Sequence, residues 1–150
     1  MDWIEEYARD LYWQPGDRTL ATTVPLSKGY TLRIALDYYD GVVSLGMIAY
    51  WGEWHLSLWN REGEARGPGG LEVYRAMSDR FEEIVETAFR SFPKAREVIF
   101  GHGSDRLYEA YRAFLYRKGL MCPEGPVRYL NRWQEFSIER WSWMRWRGNA

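Results

Sequence analysis

The stretch Arg66-Gly67-Pro68-Gly69-Gly70-Leu71-Glu72-Val73-Tyr74 decides how this chain is read. Before it, Trp54 to Trp59 is strand-like; after it, an amphipathic helix is clear by Arg80. If the helix begins at Gly70, the glycine turn aims free backbone N–H groups and the positive end of a helix dipole at one point, an arrangement that holds phosphate. If Leu71 to Tyr74 is a strand, the turn is a hairpin tip and the helix starts at Asp79, where Asp79 and Glu82 make a capping box. The residue pattern supports both starts equally.

Working outward, Trp3, Ile4, Tyr7, Ala8, Leu11 and Tyr12 stand at helical spacing and predict an opening helix that Pro15-Gly16 ends. Tyr30 to Tyr38 alternates as a strand, Asp40-Gly41 signals a hairpin, and Val42 to Trp51 is the returning strand. Gly52-Glu53 turns the chain into a third strand, Trp54 to Trp59. On the other side, Phe81, Ile84, Val85, Ala88 and Phe89 form a helical stripe that Pro93 stops. Glu97 to Phe100 reads as a short strand buried on both faces. After Gly101-His102-Gly103 comes a helix to about Lys118, with Leu107, Tyr111, Phe114 and Leu115 inward and Gly119 as its stop. Strands near Val127 to Leu130 and Gln134 to Trp143 close the order. It predicts a single α/β domain over residues 1–150, with a mixed, mainly antiparallel sheet flanked by helices.

Composition narrows the function classes. A net charge of −1 supplies no basic field, which argues against a nucleic-acid partner. No apolar run approaches the roughly 18 residues of a membrane span. The acidic start Met1 to Glu6 lacks the order of a signal peptide, and a single cysteine, Cys122, fits a reducing cytoplasm. One cysteine and two histidines argue against a metal site. Seventeen of the 20 basic residues are Arg, and nine Trp with 11 Tyr is heavy aromatic usage. Most of these rings are expected in the core, though one small core does not hide all nine Trp.

Few residues carry chemistry. His102 lies just past the carboxyl end of a short strand, where open α/β sheets place ligands. Glu53 and His55, beside the third strand, are further candidate bases, and Cys122 has no partner base nearby in sequence. At the C-terminus, Trp133, Arg140, Trp141, Trp143, Arg145, Trp146 and Arg147 interleave aromatics with guanidinium groups. That pattern suits a protein-binding surface, or a tail whose rings fold back on the core.

The element order, with its glycine turn before the central helix, resembles the GNAT acyltransferase superfamily across about residues 30–140. The family's phosphate motif R-x-x-G-x-G/A is similar to Arg66 through Leu71, with Arg66 and Gly69 matching, Leu71 in the last position and Pro68 withholding one N–H. Phe114 to Leu120 looks like the family's helix ending L-Y-x-x-x-G-F. Aligned on Gly119, the family's general-acid tyrosine falls on Leu115, with Tyr116 rotated from it by about 100°. The resemblance implies an acyl-CoA-dependent N-acyltransferase that moves an acetyl group from acetyl-CoA to an amine. Its phosphates would lie on Arg66, Gly67, Gly69 and Gly70, and its thioester along splayed strands near Trp59. His102, Glu53 and Tyr116 would assist proton transfer, without a metal. A second class is a non-catalytic protein on the same fold, a phage- or host-type regulator that docks on another protein through its Trp/Arg surface.

Overall fold

The computed structural model describes residues 1–6, 18–51, 54–57, 70–101, 105–130 and 135–148. Three-residue β1 (Ile4–Glu6) pairs antiparallel with β2 (Arg18–Pro25). The predicted opening helix is therefore wrong at Ile4 to Glu6, and Tyr7 to Pro15 lie outside the described residues. Its spacing suits a helix, but backbone pairing of Ile4 with Ala21 satisfies the same residues as an edge strand. β2 was not anticipated, although Thr19, Thr22, Thr23 and Val24 are β-branched.

A tight helical turn at Ser27–Gly29 leads into β3 (Tyr30–Tyr39), then β4 (Val42–Trp51) and β5 (Trp54–Ser57). The hairpin at Asp40-Gly41 forms as expected, with both residues at positive φ (46° and 81°). The φ of 81° at Gly41 is what favours glycine there; the Arg96 guanidinium, 2.4 Å from where a Cβ would stand, is the tip of a flexible side chain and could move aside.

The helix begins at Gly70. α1 spans Gly70–Ser78, which overturns the strand reading of Leu71 to Tyr74. It closes through Asp79 N–H to the Arg75 carbonyl and Arg80 N–H to that of Met77. α2 (Phe81–Ser91) follows with Arg80, not Asp79, at its N-cap and no side-chain cap, so the capping box does not form. Two helices thus occupy the stretch where either start was open.

β6 (Glu97–Gly101), α3 (Asp105–Arg117), β7 (Val127–Leu130) and β8 (Glu135–Glu139) come next. β6 is not buried on both faces: Val98 and Phe100 are buried, while Glu97 and Ile99 alternate with them half-exposed. Gly119 ends α3 at φ 70°, as predicted. The predicted last strand stops at Glu139, and α4 (Arg140–Gly148) replaces its end. Arg140 fixes this switch: its guanidinium donates to the carbonyl oxygens of Phe89, Phe92 and Ala95 at 2.7–3.0 Å. Two of these lie at the end of α2, where a helix leaves carbonyls unpaired and favours a cation.

The strands form one mixed sheet in the order β1-β2-β3-β4-β6-β8-β7, with β5 also on β4. Every pair is antiparallel except β4 with β6. One face of the sheet, including Leu32, Ile34, Leu36 and Met47, packs with α1, α2 and α3 into a single buried cluster. No helix among the described residues is long and apolar enough to cross a membrane.

Candidate functional site

The parallel pair positions the candidate site. β6 pairs with β4 only through Val42–Ser44 against Glu97–Ile99, and then the strands part. At its far end β4 pairs with β5, from Ile48 to Trp51. Leu45, Gly46 and Met47 have β3 on one edge and, among the described residues, no strand on the other. The result is a fork with an unpaired stretch of backbone along one arm. Gly46 lies in that stretch, and a Cβ built on it would meet nothing within 4 Å among the described residues. Neither crowding nor φ requires glycine there, and glycine weakens a strand interior.

On the helix side, the ring of Tyr111 from α3 touches both arms of the fork. It stands edge-on to Phe100 of β6 at 6.3 Å, and its hydroxyl reaches the Met47 sulfur of β4 at 4.0 Å. A thioether is a weak acceptor, so this buried phenol is poorly satisfied. Burial, with a smaller contribution from Tyr74, pushes its pKa well above the usual phenol range. Tyr111 therefore stays protonated and acts as a fixed donor. The sequence placed it on the inner face of its helix but gave no sign that it meets β4.

Tyr116 does not join this group. It is 52% exposed, with the Arg112 guanidinium 5.7 Å from its ring, while Leu115 is fully buried. The one-residue rotation has turned the phenol away from the core. Near the far end of β6, Tyr108 stacks on Phe136 at 5.4 Å. Burial and then a hydrogen bond with Tyr129 push the Tyr108 phenol to about 12. Those two phenols were also missed, because their meeting depends on how α3 crosses β7.

His102, Glu53, Trp59, Arg66, Gly67, Gly69 and Trp133 lie outside the described residues. Gly70 is the first residue of α1, and His55 pairs through its backbone with Tyr50. The start of α1 is anchored by Glu72, whose carboxylate accepts from the Ser27 N–H and, at 2.6 Å, from its hydroxyl. These bonds lower the Glu72 pKa, the hydroxyl contributing most. A carboxyl lowered on folding stabilises above its unfolded pKa of about 4.3, and that gain is lost as pH falls through the lower folded value. Urea midpoints of wild type and Glu72→Gln should therefore differ near pH 7 and draw together in acid, once the pH falls through the lowered Glu72 pKa. Equal midpoints in both ranges would remove the anchor.

No protein-family model matches the chain, and no curated protein or solved structure matches it. Its function must be argued from its own side chains.

Among the described residues no group of three His, Cys, Asp or Glu could hold a metal. The C-terminal aromatics separate sharply by environment. Trp143 is 2% exposed and donates its Nε1–H to Glu86 at 3.0 Å. Trp146 is half-buried against it, with ring centroids 5.2 Å apart, whereas Trp141 is 66% exposed. Arg140 is committed to the end of α2 and Arg147 to Glu82 and Glu86. Among the described rings of the proposed Trp/Arg surface, Trp141 is thus the one that faces solvent most.

Proposed function

We propose that the chain is an acyl-CoA-dependent N-acyltransferase of the GNAT type, with acetyl-CoA as donor and an amine as acceptor. The observation that carries this reading is the fork itself: a parallel pair that parts after three residues, with a helix from Gly70 in the connection between its strands. An extended thioester arm needs backbone groups to bond and room to lie beside them. Unpaired Leu45–Met47 and the open space at Gly46 fit those needs. The poorly satisfied Tyr111 hydroxyl fits a ligand that brings a better acceptor.

In this reading the amine nitrogen attacks the thioester carbonyl carbon, a C–N bond forms and the C–S bond breaks. The amine's proton passes to His102 or Glu53 as base, and the departing sulfur takes up a proton from the site. Tyr111 supports the change by hydrogen bonding. Its raised pKa makes full transfer of its proton to a thiolate, whose usual pKa is near about 8.5, unfavourable. Tyr116, outward on α3, has no part in it.

Millimolar acetyl-CoA should raise the melting temperature of the protein. A ligand at about 100 times its Kd adds about 2.7 kcal/mol, roughly 5–10 °C for a chain of this size. The shift should shrink in Gly69→Trp, and CoA release from acetyl-CoA with a panel of amines should fall in Tyr111→Phe. No thermal shift and no CoA release in wild type would overturn the reading.

A further inference from the structure

The C-terminal helix presents a surface that core packing does not explain. α4 carries three arginines and no acidic residue. Arg140 and Arg147 are engaged as described, but Arg145 makes no ion pair or hydrogen bond among the described residues. Trp141 and Met144 are 66% and 56% exposed. Positions 141, 144 and 145 are spaced i, i+3, i+4, so the indole, the thioether and the free guanidinium share one outer face. Next to it lies an open groove of about 500 Å³ lined by Gly119, Cys122, Glu124, Arg145 and Trp146. Trp146 is held from behind by Trp143, which gives the groove a fixed aromatic wall.

We propose that this face and groove dock a peptide segment of a partner protein in which a large apolar side chain stands beside a carboxylate. Exposed Trp and Met supply apolar area, and Trp with Arg is the pairing enriched where binding energy concentrates. An unpaired guanidinium beside an aromatic wall selects a carboxylate through two parallel hydrogen bonds. The charge on the outer face of α4 favours a carboxylate: Trp141, Met144 and Arg145 carry one cation and the helix has no acid, while the one acid on the groove, Glu124, lies off the helix. Glu124 on the groove is free to accept a backbone N–H of the incoming segment. A membrane is the weaker fit, because of the three Trp rings of α4 one is buried and one half-buried, which leaves only Trp141 and Met144 as exposed large apolar side chains. This surface goes beyond the acyl-transfer reading and does not rest on it.

The test is a random twelve-residue peptide library displayed on phage, panned on the intact chain after depletion on a Trp141→Ala, Arg145→Glu double variant. Both side chains are exposed or line an open groove, so the variant should melt with wild type, which a thermal scan checks. The expected survivors pair Asp or Glu with Leu, Phe or Trp. A synthetic survivor should lose at least tenfold in affinity to Arg145→Glu and retain most of it in Arg145→Lys. Enrichment of basic peptides, or no peptide that separates wild type from the variant, would overturn the proposal. So would sedimentation with phosphatidylserine vesicles that Trp141→Ala abolishes, since the occupant would then be a membrane.

Discussion

Trp143→Ala should melt roughly 10 °C below wild type. The ring is almost fully buried, bonds Glu86 through its Nε1–H, lies against Trp146 and has the Arg147 guanidinium 5.9 Å from its centre. Truncating a buried Trp costs about 3–5 kcal/mol from lost transfer energy and the cavity left behind. In a chain of this length each kcal/mol moves the melting temperature by about 2–4 °C. Calorimetry of Trp143→Ala beside Trp143→Phe separates volume from hydrogen bonding. Phe keeps most of the area and loses only the indole's bond to Glu86, whose carboxylate still accepts from Arg147 at 2.8 Å, so it should cost less. A fall under about 2 °C for the alanine variant would mean that α4 is not anchored by this ring.

Gly125→Ala should be comparably damaging for a different reason. A Cβ at Gly125 would lie 1.9 Å from the Leu120 carbonyl oxygen and 2.3 Å from its carbon. The obstacle is backbone, so no rotamer change relieves it. The same turn holds Gly125 N–H to the Cys122 carbonyl at 2.7 Å and Val127 N–H to the Leu120 carbonyl at 3.1 Å. Opening it releases the start of β7. Forced overpacking of this kind costs about 3 kcal/mol. Urea unfolding checks it, with Gly119→Ala as the contrast: that position has no crowding, only its positive φ, and should cost less.

The parts of the fold that were legible in sequence rest on local chemistry. Asp40-Gly41 at positive φ joins two alternating strands, and the glycine after α3 ends it in a left-handed residue. The parts that were not legible rest on distant partners. Arg140 to Trp143 is expected from its sequence to continue the last strand, but it turns into helix where the guanidinium of Arg140 finds the end of α2, about 50 residues earlier in the chain. β1 is three residues long, too short to carry a period, and exists because β2 offers it an edge. The same holds at the candidate site. Tyr116 was conspicuous by its neighbours in sequence, yet Tyr111 is the phenol that reaches β4, 64 residues away. Sequence spacing gives the face of a helix but not the strand that face meets.

The strand order also sets a timetable. β2, β3 and β4 are joined by short turns, so they can pair as soon as they leave the ribosome. β6 is different: its grip on β4 is three residues long, and its main partner along the rest of its length is β8, which ends at Glu139. Until that point is synthesised, the middle of the sheet has an open edge bearing Val98 and Phe100, the kind of template that invites pairing with other chains. Among the described strands the sheet is therefore completed by the one that follows all the others in chain order, and nascent chains stalled before Glu135 should be the ones that most need a chaperone.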